Sequence, residues 1–147
     1  VLRQFFTDEQ LAALTPRMDP SRPTGLDYYP LTQPGERCPV NDPGLAPRLE
    51  PRPADDAAFL QGMLEGMAGI EAQTYRLLAE KGASPVRRVL TAGGGAKNQV
   101  WTELRRARLG VPVEASPHAE AAYGSALLAK QGFSLARPAA YAGALVM

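Results

Sequence analysis

The six residues Gly93-Gly94-Gly95-Ala96-Lys97-Asn98 have the types and spacing that suit anion chemistry. They follow a short apolar run, Arg88-Val89-Leu90-Thr91-Ala92, and precede an amphipathic stretch from Val100 to Leu109. Glycine permits positive φ and lets a ligand approach with no Cβ in the way. The first N–H groups of a helix lack partners within it, and the helix dipole favours negative charge there. Strand, glycine turn and helix start together predict a site for a nucleotide phosphate. Gly93, Gly94, Gly95 and Asn98 are its candidate residues.

Two familiar loops do not fit. A Walker A loop needs G-x-x-x-x-G-K-[ST], whereas Lys97 here follows Ala96 and precedes Asn98. A dinucleotide fingerprint needs G-x-G-x-x-G. Gly93 and Gly95 match it, and Asn98 stands where the third glycine belongs. Glu114, about 20 residues on at the end of the next strand, is placed for a ribose hydroxyl and keeps a dinucleotide-binding half-domain open. The other polar residues read as ordinary surface. Lys97 is expected to be solvated, as is the face made by Glu103, Arg105, Arg106 and Arg108. Asn98 suits a helix cap, and Trp101 and Tyr123 suit packing. His118, the single histidine, has no Cys or His partners for a metal, and no metal site is expected.

These residues need elements to hold them. Thr7 with Gln10 forms a capping-box pattern before a short helix that Pro16 ends. Ten of the fourteen prolines fall between Pro16 and Pro53. Proline removes a backbone donor and fixes φ, so residues 15–54 read as an extended arm with turns. Leu26, Tyr28, Tyr29 and Leu31 are placed to pin that arm to a core. A long helix begins at Asp55 and stops at Gly82, with Leu60, Met63, Leu64, Met67, Ile70, Thr74, Leu77 and Leu78 along one face. Then come a strand over 87–92, the glycine turn, a helix over about 97–109 ended by Gly110, and a second strand from Val111 to Ala115. Ser116-Pro117 predicts the start of a last helix over about 117–131, stopped by Gly132. Its run Ala121-Ala122-Tyr123-Gly124-Ser125-Ala126 is small enough for close packing. Two strands joined through a helix pair in parallel.

Composition narrows the classes. The chain of 147 residues is 45% apolar and 21% charged with a net charge of +1, a globular balance that favours neither nucleic acid nor an anionic membrane. One cysteine, Cys38, excludes an internal disulfide and fits a cytoplasmic setting. The opening Val1-Leu2-Arg3-Gln4-Phe5-Phe6 has no initiating methionine and reads as the start of a fragment. The Pro-rich arm also admits a non-catalytic interaction module that binds a partner through it.

The wider pattern is more specific than the turn. It runs from Leu90-Thr91-Ala92 through the glycines to Asn98, then Val100-Trp101, Leu109-Gly110-Val111-Pro112-Val113, and Glu120-Ala121-Ala122-Tyr123-Gly124-Ser125-Ala126-Leu127-Leu128-Ala129. It closely resembles the C-terminal domain of FGGY carbohydrate kinases. Gly35-Glu36-Arg37, Asn41-Asp42-Pro43 and Pro51-Arg52-Pro53 look like the ribulose- and xylulose-kinase branch. The resemblance covers about residues 26–133. It implies an α/β fold, a partial ribonuclease-H-like domain of the actin and sugar-kinase superfamily, with few strands and three main helices after the Pro-rich arm. The implied division is residues 1–54 for the short helix and arm, 55–133 for the ATP-binding portion, and 134–147 for a tail. It further implies phosphoryl transfer from MgATP to a pentulose or related sugar. Gly93, Gly94 and Gly95 would lie at the ATP phosphates and Asn98 near the ribose or adenine. The family's first phosphate loop, its aspartate base and most sugar contacts lie in an N-terminal domain that this chain lacks. No catalytic residue is therefore assigned here, Mg is expected to be held mainly elsewhere, and the chain alone is expected to be inactive. Truncated strands predict self-association.

Overall fold

In the computed structural model, which describes residues 1–118 and 121–136, helix α2 (Asp56–Glu80) is the spine. The Asp55 side chain caps it by accepting from the Ala57 N–H at 3.1 Å, and Gly82 follows its end with φ of 93°. Leu60, Met63 and Leu64 are buried as their spacing predicts, and Leu78, near the far end, is exposed. The core therefore sits along the first half of the helix. Its hub is Phe59, 1% exposed. Phe5, Phe6 and Tyr28 meet the Phe59 ring edge-on at 5.3, 6.2 and 5.8 Å. Such edge contacts add about 0.5–1.5 kcal/mol each beyond area burial. The short helix α1 (Asp8–Leu14) has the reciprocal Thr7–Gln10 capping box and contributes Leu14 to the same cluster.

Residues 18–54 carry no helix and only two isolated bridges, Tyr29 with Arg48 and Glu36 with Asp42. Proline-rich backbone cannot use a sheet ladder, so α2 side chains supply its partners. The Gln61 Oε1 accepts from the Asp19 N–H, and the Gln61 amide donates to the carbonyls of Asp19 and Arg22, each at 2.9 Å. The Thr24 N–H and hydroxyl both donate to Glu65. The Tyr28 hydroxyl donates to the Pro51 carbonyl at 2.5 Å. Two helical glycines admit this segment. A Cβ on Gly66 would stand 2.6 Å from the Tyr28 carbonyl oxygen, and one on Gly62 would stand 2.7 Å from Leu26.

Strands β1 (Val89–Thr91) and β2 (Val113–Ala115) pair in parallel, in the register Val89 with Val113, Leu90 with Glu114 and Thr91 with Ala115. Helix α3 (Gln99–Leu109) connects them and packs on α2. Both strands are shorter than expected. Gly110 turns left-handed at φ 67°, and Pro112 has no N–H, so β2 starts only after them, although the Pro112 carbonyl still accepts from the Val89 N–H. Val89 and Val113 face the core; Leu90 is 49% exposed.

The last helix, α4 (Ala121–Ala136), differs from the expected one over 117–131. Ser116 does not cap it: the Ser116 hydroxyl accepts from the His118 N–H and donates to the His118 carbonyl, closing a local turn. The expected first turn partly falls on residues 119 and 120, outside the described residues. The helix also runs through Gly132. A helical glycine costs only about 1 kcal/mol, which neighbouring helix formers offset. Close packing of its small-residue run is not found among the described residues. Residues 122–132 are exposed, and a Cβ on Gly124 would meet nothing within 4 Å. Tyr123, expected to pack, is 42% exposed and stacks on His118 at 3.7 Å. Most of the expected tail, residues 137–147, lies outside the described residues.

Candidate functional site

The C-terminal ends of β1 and β2 lie side by side, tied by the Ser116 N–H donating to the Thr91 carbonyl at 2.8 Å. The glycine turn leaves this edge. Gly93 has φ 81° and ψ −168°, a region that is essentially glycine-only. Gly94–Lys97 then form one 3-10 turn, closed by Ala96 N–H to Gly93 carbonyl at 3.1 Å and Asn98 N–H to Gly95 carbonyl at 3.2 Å. The N–H groups of Gly94 and Gly95 have no acceptor among the described residues. The three glycines are exposed, and a Cβ on Gly94 would enter open space.

Asn98 ends the turn and starts α3. Its Oδ1 accepts from the Trp101 N–H at 3.0 Å, a true N-cap. This moves the helix start from about 97 to 99, because residues 94–97 are spent on the tighter turn. Lys97 is exposed, as expected. Trp101 packs on the core, and its ring lies 3.5 Å from where a Gly95 Cβ would be.

Arg105 overturns the expectation of a wholly solvated face. It is 8% exposed. Its guanidinium forks onto Glu71 of α2 at 2.6 and 2.7 Å, donates to the Thr91 hydroxyl, and lies 5.4 Å from the Trp101 ring centre. The Glu71 hydrogen bonds raise the guanidinium pKa above its ordinary value, with burial acting against them. Removing one partner of such a pair costs about 3–5 kcal/mol, since the other charge stays buried. Arg106 and Arg108 remain exposed, and Arg106 donates to the Val113 carbonyl at 3.1 Å. The sequence did hold a signal for Arg105: it stands four residues after Trp101 and directly after core Leu104, on the packed face.

Glu114 is exposed and pairs with Leu90 in the sheet. The third glycine of a dinucleotide fingerprint is replaced by the Asn98 cap. Among the described residues, no group of three His, Cys, Asp or Glu side chains gathers to hold a metal. Several acids are engaged in ion pairs: Asp8 with Arg3, Asp27 with Arg48, Asp55 with Arg17, and Asp56 with Arg52. A groove of about 420 Å³ between the 18–54 segment, α2 and α3 is lined by Tyr28, Glu65, Gln73 and Arg108 among others. None of residues 91–98 lines it, so it is a product of how that segment lies on the helices and separate from the turn.

A parallel β-α-β unit with open amides at its carboxyl edge defines a class, the α/β domains that bind ligands beyond the strand ends. The family follows from comparison: the model of the FGGY family of carbohydrate kinases, C-terminal domain, matches residues 2–131. The chain belongs to the FGGY family of carbohydrate kinases, and the match is to its C-terminal domain. Membership makes it part of a phosphotransferase and brings the actin and sugar-kinase fold. No described helix is long and apolar enough to cross a membrane.

Proposed function

We propose that the turn Gly93–Asn98 holds the phosphates of MgATP in a sugar kinase acting on a pentulose. The observation that carries this is that the N–H groups of exposed Gly94 and Gly95, at the sheet's carboxyl edge, have no acceptor among the described residues. Backbone amides there complement phosphate charge without a side chain. ATP supplies the transferable γ-phosphoryl group, and this chain supplies positioning. Asn98, held by its capping bond, would sit near the ribose or adenine. The pentulose preference rests on the likeness of Gly35-Glu36-Arg37, Asn41-Asp42-Pro43 and Pro51-Arg52-Pro53 to the ribulose- and xylulose-kinase branch.

Phosphoryl transfer needs a positioned base and metal-held phosphates. By the family resemblance, the base and most Mg ligands are expected from the N-terminal domain. We therefore expect the isolated chain to bind MgATP weakly and to transfer nothing. Exposed Cys38 fits a reducing, cytoplasmic compartment. The open edges of the two-stranded sheet favour self-association.

Gly94→Val tests the site. A Cβ there meets nothing within 4 Å among the described residues, so the fold should be retained while ligand access changes. In the whole kinase the Michaelis constant for ATP should rise about ten-fold or more, because the added side chain keeps the phosphate from the N–H and so forfeits a hydrogen bond to a charged group. An unchanged constant removes the turn from the ATP site.

A further inference from the structure

Arg105 is the only charged side chain buried among the described residues, and its position relative to the glycine turn has a consequence beyond joining two helices. Thr91, which accepts from it, ends β1 two residues before Gly93. Trp101, beside its guanidinium, receives the Asn98 cap and packs near Gly95. Both stems of the turn thus meet at one guanidinium, and Glu71 of α2 holds that group by two bonds. A planar fork with five donors can serve a carboxylate and a hydroxyl at once; an ammonium cannot match that geometry.

We propose that Arg105 is a positioning residue for the glycine turn, anchored by Glu71 and Thr91. It fixes where β1 ends relative to where α3 begins, and so the direction of the Gly94 and Gly95 N–H groups. The ligand rests on the MgATP reading above; the geometry does not.

The test compares the wild-type chain with Thr91→Val and Glu71→Gln. Thr91→Val keeps side-chain volume and the Glu71–Arg105 pair but removes one anchor. Amide hydrogen exchange at Ala96 and Asn98 reports the turn without ligand, and Trp101, the sole tryptophan, reports MgATP by its emission. In Thr91→Val the melting temperature should fall by only a few degrees, as the loss of one hydrogen bond does. Exchange at Ala96 and Asn98 should quicken, and the MgATP dissociation constant should rise about ten-fold, as for one hydrogen bond to a charged group. Glu71→Gln should show both effects more strongly if it folds. Unchanged exchange in Thr91→Val overturns the proposal, whatever Glu71→Gln does. Unchanged MgATP affinity in a Thr91→Val chain whose wild type binds also overturns it. Quickened exchange beside a wild type that ignores MgATP upholds the positioning role and removes the ATP reading.

Discussion

Gly93 and Gly94 are neighbours with different duties. Gly93 sits where only glycine is comfortable, so Gly93→Ala should lower stability by about 1–3 kcal/mol. Gly94 has no positive φ and no neighbour at its missing Cβ, so Gly94→Ala should change stability little. Urea unfolding of the two variants checks the contrast. Asn98→Ala should cost about 1 kcal/mol through the lost cap, and Asn98→Ser should recover most of it. The cap was legible in the sequence because it depends on local spacing alone. Arg105 was not read as buried, because its partner Glu71 lies 34 residues away. Helical spacing shows which face packs, but only the tertiary contact shows that a charge there has a matching carboxylate.

Elements were legible where caps and periodicity agree. Thr7, Asp55, Gly82 and Gly110 all mark real helix ends. What the Leu and Met pattern of α2 did not reveal is its glycine side, where Gly62 and Gly66 let the 18–54 segment lie against the helix. Gly66→Ala should push Tyr28 and Pro30 away and cost about 1–3 kcal/mol, as small-to-large changes in packed sites do. Thermal melting measures it. The same contact sets a pH dependence. Burial, and then Glu50, raise the Tyr28 pKa, against a smaller opposing effect of Arg52. A raised folded pKa means that the unfolded chain ionises first. This contribution is fully present below the phenol's ordinary value of about 10 and is lost as pH climbs through the folded value. Tyr28→Phe should flatten the alkaline loss of stability, and an unaltered profile in urea melts at rising pH would contradict that cause. α4 misled for the opposite reason. Ser-Pro and glycine signals are local, and the described residues present no face against its small side chains, so they fixed neither its ends nor its packing.

For the whole molecule, the order helix, strand, turn, helix, strand, helix was legible, and the family match over residues 2–131 agrees with the resemblance read from the motifs. The sheet has two strands among the described residues, with Leu90 exposed on its open face. Such a surface tends to pair, and light scattering should give a mass above that of one chain; a monodisperse monomer would contradict this. The central claim is that the Gly94 and Gly95 amides receive nucleotide phosphate. Its most direct measurement follows the backbone amide resonances of the chain while MgATP, and separately NADH, is added to millimolar levels. The Gly94, Gly95 and Asn98 amides should shift progressively with MgATP and hold still with NADH. Stationary glycine amides at saturating MgATP, or a response to NADH alone, would contradict it.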